Sequence, residues 1–508
     1  MVARATRKKR KNHRMGKQGS LLAGVAAVDI TGTADEQMDD PLCSRIEADK
    51  GTDRLYVKAL VLQHGATTAV VITIDAVAIE EIGSIRNNYL ARVREALQAE
   101  FQIAPSSVLV NASHCHGVVC EDVAERTIEA VRLASECLVP VRVGTGTGHE
   151  SSIMENRRLR LKDGHVADVR HAYSLPPDEQ IEAVGPIDPE IGILRIDKVD
   201  GPTMAIVYHF ACHPIIGVPS GGNTADISGF ASRVIEEQLA HGAVAFFLQG
   251  CGADINPILY RDFDNPPDAR THGRQLGLST MRGVGTVGCD DEARLSVLQK
   301  TLKIPRADLA ERIVEMEEEQ QELLASLRPT NLNLKSYIPL LIKHRLSPEY
   351  PSYEAHRYLH EETLGRDDLR RLDAKNLQQM EVYADNVQTM EQLTRLQVNL
   401  NLLRNHQARF VADGTGYIDA EVVALRVGDF VLVTFPGELS VELGLRIKAS
   451  SPHAHTFVSG VTNGYLYYTP TAEQLANRGR AQEDSDCLVD ASWEKVFTDH
   501  VDELLKQL

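Results

Sequence analysis

The sequence NASHCHGVVC, residues 111–120, brings two histidines to the end of a predicted β-strand. It continues the apolar run Val-Leu-Val at 108–110, and His114 and His116 are two positions apart. In an extended chain, side chains at i and i+2 point to the same face, so both imidazoles could reach one site. Two such histidines can share a metal ion, or one can bind the metal while the other handles a proton. They could equally be unrelated surface histidines, since H-x-H is a short pattern.

The segments around this strand predict an α/β fold. Clustered or alternating β-branched and apolar residues indicate strands over 23–30, 55–63 and 69–75. Segments 82–100 and 125–138 have apolar residues at the spacing that is typical of helices. Strands and helices in this order favour mixed multi-stranded sheets with flanking helices.

Other predicted strands also end in polar groups. Asp75 closes an early strand, two later strands run into His213 and Asp254, and the last ones lead to Glu438 and Tyr468. Ligands of α/β sheets gather beyond the carboxyl ends of strands. Histidine and carboxylate ligands around an open position are typical of a catalytic zinc site. Because no HExxH motif is present, spacing alone leaves open whether these groups share a metal or are structural.

The chain is expected to divide into four segments. Residues 1–18 form a basic, disordered tail, since the first 17 hold eight Lys or Arg and no acid. Residues 19–304 and 409–508 form the two parts of an α/β catalytic region, and 305–408 form a largely helical insertion. Within the insertion, 396–402 alternates with period two and could instead be a strand. A packing or oligomer contact is the expected role of the insertion.

Composition limits the class of partner. The 508 residues are 43% hydrophobic and 25% charged, with a formal net charge of −17, as in an ordinary but acidic globular protein. A nucleic-acid partner is not expected, because a binder must neutralise phosphates. No apolar run is long enough to cross a bilayer. Eight scattered cysteines and no convincing signal peptide predict a cytoplasmic protein with reduced thiols. The expected partner is a small-molecule substrate, and a homo-oligomer is possible.

The order of these strand ends resembles the N-terminal catalytic domain of the neutral/alkaline (non-lysosomal) ceramidase family. Nine short motifs carry the resemblance across roughly residues 23–485, with weak correspondence through 305–408. For example, ASHCHG is similar to the family's THTHSG, FACHP to its F-x-x-H strand end and FPGE to its PxE. The others are GVAAVDITG, DRLYVKALVLQ with TIDAV, ENRR, TADISG, QGCGADINP and NGYLYYTPT.

The resemblance implies a zinc ion bound by His114, His213, Glu438 and Tyr468. Imidazoles, a carboxylate and a phenol oxygen are acceptable ligands for this metal.

The resemblance also implies a catalytic set around the zinc. His116 and Arg157 would face the substrate carbonyl or a developing oxyanion. Asp254 or Asp226 could orient the histidine rings, and Asp75 could do the same or be structural. Tyr465 and Tyr467 are expected only to line the site.

One departure bears directly on the reaction. Asn256 stands where ceramidases carry the serine implicated in amide hydrolysis, and asparagine cannot act as an activated hydroxyl nucleophile. The metal centre is therefore expected to be retained, whereas ceramide itself is a doubtful substrate. A lipid or sugar derivative fits the remaining description.

Three hypotheses of function follow. The leading one is a zinc-dependent hydrolase of the ceramidase-like superfamily, in which metal-activated water attacks an amide or ester. The second is a metal-dependent lyase or carbohydrate-processing enzyme on the same scaffold, since a fold does not fix the chemistry. The third is a binding protein with a structural or sensing metal.

Overall fold

The computed structural model describes most of the chain. The described residues are 19–33, 53–168, 175–217, 223–260, 262, 264–265, 267–291, 294–477 and 481–508. The basic tail predicted over 1–18 therefore lies outside the described residues.

The described part forms nineteen strands and eleven α-helices. The strands are β1 (Leu22–Asp29), β2 (Tyr56–His64), β3 (Thr67–Ile74), β4 (Val108–Ala112), β5 (Val139–His149), β6 (Met154–Asn156), β7 (Arg158–Leu161), β8 (Val166–Asp168), β9 (Ile181–Val184), β10 (Glu190–Lys198), β11 (Thr203–Phe210), β12 (Val244–Gln249), β13 (Ile255–Pro257), β14 (Leu295–Pro305), β15 (Tyr417–Val427), β16 (Phe430–Thr434), β17 (Glu438–Leu439), β18 (Thr456–Ser459) and β19 (Tyr468–Thr469). The helices are α1 (Tyr89–Phe101), α2 (Val123–Glu136), α3 (Asp226–Leu239), α4 (Ala269–Val284), α5 (Ala310–Ser326), α6 (Leu334–Leu346), α7 (Ala355–Thr363), α8 (Asp368–Asp413), α9 (Val441–Ser450), α10 (Ala472–Leu475) and α11 (Trp493–Gln507).

Two mixed sheets form the centre of the fold. The larger has the order β12-β11-β10-β5-β1-β2-β3-β4, and the smaller has the order β14-β15-β16-β18. Antiparallel pairs dominate, but β3–β4, β11–β12 and β16–β18 are parallel. All eight residues of β11, TMAIVYHF, are buried, because this strand is covered on both faces. The predicted α/β class is confirmed.

The sheets share one apolar layer, and helices cover their other faces. Phe246 of the large sheet and Phe457 of the small sheet lie in the same cluster. Helices α1 and α2 pack on β1–β4, α3 and α4 on β10–β12, and α11 on the small sheet. Helix α1 begins at Tyr89, so the helix predicted over 82–100 is too long, and Ile85 is buried in the preceding loop.

Asn111 joins the two edge strands of the large sheet. Its Oδ1 accepts a hydrogen bond from the backbone N–H of Gln249, the last residue of β12, at 2.9 Å. Its Nδ2 donates to the carbonyl oxygen of Gly460 at 2.9 Å and to Oγ1 of Thr462 at 2.8 Å. The carboxyl ends of β4 and β12 therefore meet each other and the segment that follows β18.

Helices α5 to α8 form an antiparallel helical hairpin over residues 310–413. Met316 of α5 packs against Leu396, Leu400 and Leu403 of α8. The strand considered for 396–402 is wrong, because these apolar residues recur at helical spacing toward α5. Helix α8 has 46 residues and ends at Asp413. Gly414 caps it with a φ of 64°, a conformation that suits glycine. The division of the chain at 304 and 408 stays a prediction.

Within the described ranges, no helix combines the length and the apolar character needed to span a membrane.

We predict that Asn111→Ala lowers the free energy of unfolding by about 1–3 kcal/mol, because it leaves the buried N–H of Gln249 without its acceptor. The control is Asn87→Ala, which removes two exposed hydrogen bonds with Glu81, one to its Oε1 and one from its backbone N–H. This change should alter stability by less than about 0.5 kcal/mol. Urea denaturation of both variants measures the difference. Equal effects would contradict a special role for Asn111.

Candidate metal centre

Three buried side chains converge beyond the strand ends. His114 follows β4, His213 follows β11, and Glu438 opens β17. One ligand atom from each lies within 4.8 Å of the other two. Oε2 of Glu438 is 3.3 Å from Nε2 of His114 and 3.1 Å from Nε2 of His213. The two imidazoles thus point at one carboxylate oxygen.

Backbone carbonyls fix the orientation of both rings. Nδ1 of His114 donates to the carbonyl oxygen of Val77 at 2.7 Å, and Nδ1 of His213 donates to that of Gly252. Because a carbonyl only accepts, each Nδ1 carries a proton and each Nε2 faces Glu438. The expected orientation of these rings by aspartates is therefore wrong.

The path of the chain at His114 differs from the extended segment expected from the sequence. Strand β4 ends at Ala112, and His114 has a φ of 66°, in the left-handed region. Its N–H donates to the carbonyl oxygen of Ala76 at 2.9 Å, which holds this conformation. The ring of half-buried His116 still lies near that of His114, with 5.9 Å between their centroids.

The C-terminal segment fixes Glu438. The hydroxyl of Tyr465 donates to Oε1 of Glu438 at 2.5 Å. The backbone N–H of Glu438 donates to the carbonyl oxygen of Tyr467 at 2.9 Å. Strands β17 and β19 run parallel, with Glu438 paired to Tyr468. Tyr468, expected as a ligand, is thus a direct neighbour of the carboxylate, and its ligation stays a prediction.

The charges of the three groups depend on one another. Burial lowers the pKa of His213 to about 4, with help from the charge of Arg157 and against the pull of Glu438. Burial also acts to lower the pKa of His114, but Glu438 outweighs it, and the pKa is raised. Burial acts to raise the pKa of Glu438, yet the two histidines hold it well below its ordinary value. The carboxylate is therefore ionised and His213 is neutral, which are the states that bind metals.

Arg157 is buried beside this group with most of its donors in use. Its Nη1 donates to Oδ1 of Asn256 at 3.1 Å and its Nη2 to the hydroxyl of Tyr468 at 3.2 Å. Nη2 also donates to the carbonyl oxygen of Ala253, and Nε forms a 2.5 Å ion pair with Glu483. Arg157 thus links Asn256 to Tyr468, and a direct contact with substrate stays a prediction for both Arg157 and His116.

The acidic partners of Arg157 and Arg158 were not predicted. Glu483 pairs with both arginines, at 2.7 Å from Nη2 of Arg158, and Asp484 lies at 2.7 Å from the same nitrogen. All four side chains are buried. The sequence did contain a signal for this pairing. The adjacent arginines of ENRR need acidic partners if they are buried, and QEDSD at 482–486 contains such acids.

The aspartates that were predicted to orient the histidine rings accept hydrogen bonds from backbone N–H groups instead. Asp254 accepts from the N–H of Val441 at 2.8 Å, so it joins the β12 loop to the start of α9. Asp226 accepts from the N–H of Ile227 at 2.7 Å, at the start of α3. Asp75 accepts a backbone N–H from β2 at 2.9 Å. The catalytic role predicted for Asp254 stays a prediction.

The base of the helical hairpin contacts the segment that carries Tyr468. Nη1 of Arg409 donates to the hydroxyl of Tyr467 at 2.8 Å and pairs with Glu81 at 2.7 Å. The ring of His406 lies 4.8 Å from that of Tyr467, and its Nε2 is 2.8 Å from Oδ1 of Asp486. Helix α8 therefore supports the residue whose carbonyl binds the N–H of Glu438.

We predict that Asp226 makes stability fall as pH rises from about 4 to 6. Burial raises its pKa from 3.8 to about 6, so the folded state holds the proton more tightly than the unfolded state. Protonation thus stabilises the fold, and deprotonation costs up to about 3 kcal/mol.

Asp226→Asn should make this fall smaller without removing it, because burial also raises the pKa values of Asp75 and Asp254 to about 6. Urea denaturation at several pH values between 4 and 8 would measure the difference. Exposed Asp200→Asn, in the turn between β10 and β11, is the control and should leave the curve unchanged. Parallel curves for Asp226→Asn and the wild type would contradict the prediction.

If the three converging side chains hold a metal ion, we predict that Arg409→Ala lowers the metal affinity by about 3- to 30-fold, because outer contacts orient metal ligands. The matched control is Arg404→Ala on the same helix, which removes a 2.6 Å ion pair with Glu317 away from the site. Competition with a chromogenic chelator measures both affinities. If both variants bind the metal like the wild type, the contact with Tyr467 has no influence on the ligands.

Comparison with known proteins identifies the fold. No family model matches the sequence, and no curated protein matches it. The crystal structure of neutral ceramidase from Pseudomonas aeruginosa is similar, with a TM-score of 0.60 and 16% identity over 97% of this chain and 75% of that one. A ceramidase complexed with C2 is similar, with a TM-score of 0.58 and 18% identity over 96% of this chain and 76% of that one. The chain has a divergent neutral ceramidase fold.

Proposed function

We propose that the protein is a zinc-dependent hydrolase of the neutral-ceramidase-like superfamily, in which water attacks an amide or ester bond. The observation that carries the proposal is the convergence of His114 and His213 on one oxygen of Glu438. The similarity in fold to two ceramidases supports a hydrolase.

The donor set fits zinc. Ligand atoms about 2.1 Å from a tetrahedral zinc ion lie about 3.4 Å from one another. The observed separations of 3.1 and 3.3 Å between Glu438 and the two histidines are close to this value. We assign the fourth protein ligand to Tyr468, since it is paired with Glu438 in the β17–β19 register.

Each neighbouring residue has a proposed task. When bound, zinc lowers the pKa of water to near neutrality and polarises a carbonyl group. His116, half-buried beside His114, is assigned to proton transfer at the reacting bond. Arg157 keeps Tyr468 and Asn256 in place through its guanidinium group.

Asn256 favours direct attack by water. Its amide oxygen is occupied by Arg157, and its side chain offers no hydroxyl for a covalent intermediate. We therefore propose a single displacement on a small amide or ester, with ceramide itself disfavoured.

A metal-dependent lyase or carbohydrate-processing enzyme is the second candidate. A cavity of about 550 Å³ beside Asp254 supports it, because amide, carboxylate and guanidinium groups line its wall. Such groups both donate and accept hydrogen bonds, as a hydroxyl-rich substrate requires. The polar residues include Asn156, Arg158, Gln474 and Asn477.

We also propose a cytoplasmic location. The cysteines of the described ranges are all free, which supports a reducing compartment.

Metal content is the first test. The wild type purified without added metal should contain about one zinc per chain, and His213→Ala should lose it. The control is His209→Ala, which removes a buried histidine of β11 that contacts the carbonyl oxygen of Val458 and should keep its zinc. A wild type without stoichiometric metal, even after zinc supplementation, would refute the hypothesis of a zinc-dependent hydrolase.

Products then decide the reaction. Hydrolysis of an amide or ester in ¹⁸O-labelled water should place one labelled oxygen in the product, and His116→Ala should retain zinc while kcat falls about 10²- to 10⁴-fold. An unsaturated product without label would favour the lyase. Unchanged function in zinc-loaded His116→Ala would favour a binding protein.

A further inference from the structure

The helical hairpin carries most of the exposed apolar side chains of the described residues. Of twenty large hydrophobic residues that are strongly exposed there, fourteen lie within 310–413. Scattered exposed aliphatic residues are ordinary, but a concentration on one element marks an interaction surface.

Four of these side chains form a regular row on α6, which we call the α6 ridge. Leu334, Ile338, Ile342 and Leu346 are 63, 41, 52 and 81% exposed and follow one another at intervals of four residues. A row of this kind is the ridge that inserts into the groove of a second helix. Within the described ranges nothing covers the row, since α6 has no buried residue.

The charges of α6 and α5 are complementary. Helix α6 contains Lys335, Lys343 and Arg345 and no acid, whereas α5 contains six glutamates and one arginine. Exposed Glu318 and Glu322 of α5 are also four residues apart. A cationic helix and an acidic helix of one chain can therefore each attract the opposite helix of a second copy.

The order of the helices along α8 makes this pairing geometrically possible. Helix α5 lies beside the C-terminal part of α8, where Glu317 pairs with Arg404 at 2.6 Å. Helix α6 lies beside the middle, where the rings of Tyr337 and Tyr383 are 4.7 Å apart. A two-fold axis near the α5–α6 junction would set α6 of each copy against α5 of the other.

We propose that a second copy of this chain docks on the helical hairpin in antiparallel orientation, with the α6 ridge of each protomer against α5 of its partner. Such an interface is isologous and closes as a dimer. A lipid surface is disfavoured as the occupant, because the glutamates of α5 would be repelled by anionic headgroups. The proposal does not depend on the proposed function.

The first test measures association of the full chain by sedimentation velocity over a range of concentrations. The wild type should dimerise, and Ile338→Asp combined with Ile342→Asp should raise the dissociation constant at least 100-fold. The control is Val199→Asp, at a 38% exposed residue after β10, which should dimerise like the wild type. Circular dichroism confirms that each variant is folded.

Charge reversal provides the decisive test. Lys343→Glu with Arg345→Glu, and separately Glu318→Lys with Glu322→Lys, should each weaken self-association at least 10-fold. Mixing the two variants should restore it, because both contacts of the heterodimer then join opposite charges. A failure of the mixture to associate would overturn the proposed pairing.

Two further outcomes would also overturn the proposal. One is a wild type that stays monomeric at about 100 μM. The other is flotation with phosphatidylserine vesicles that Ile338→Asp abolishes while the protein remains monomeric, which would assign the ridge to a lipid surface.

Discussion

The amide of Asn111 is the constraint on which the site depends. Strands β4 and β12 occupy opposite edges of the eight-stranded sheet. His114 follows β4 and His213 follows β11, the parallel neighbour of β12, so the ends of the two edges must come together for the histidines to meet. Asn111 joins these ends by accepting from Gln249 and donating to the segment after β18. A buried amide with both groups satisfied is costly to replace, since either orphaned partner would be desolvated without compensation.

The electrostatics of the site follow from that closure. Glu438 is buried as an ion because two imidazoles and the hydroxyl of Tyr465 surround it. Carbonyl oxygens behind the rings fix their tautomers without adding charge. The guanidinium of Arg157 is compensated by Glu483, so opposite charges are paired among buried side chains at the centre. Buried charges in such a network are tolerated because each has its hydrogen-bonding partners.

Local pattern was sufficient to predict the α/β class and the helical character of most of residues 310–413. Only the resemblance to the ceramidase family grouped His114, His213 and Glu438, because spacing does not show which strand ends meet. The carbonyl oxygens that orient the rings belong to any sequence and leave no signal. The left-handed φ of His114 depends on a contact with a distant backbone carbonyl, which the local sequence does not show. The apolar run at 396–402 fits a short strand as well as a helix, so its pattern alone could not decide between them.

The helical hairpin connects two regions that the chain order separates. Helix α8 is one uninterrupted element of 46 residues, roughly 70 Å long. Its C-terminal end holds Tyr467 through Arg409, and its middle supports α6 through Tyr383. A rigid connection of this kind does not by itself couple the two ends, because coupling requires a second conformation that one ligand favours. If association on α6 strengthened metal binding at the site, linkage would require the metal to strengthen association by the same factor. Equal metal affinity in monomer and dimer would instead make α8 a passive support.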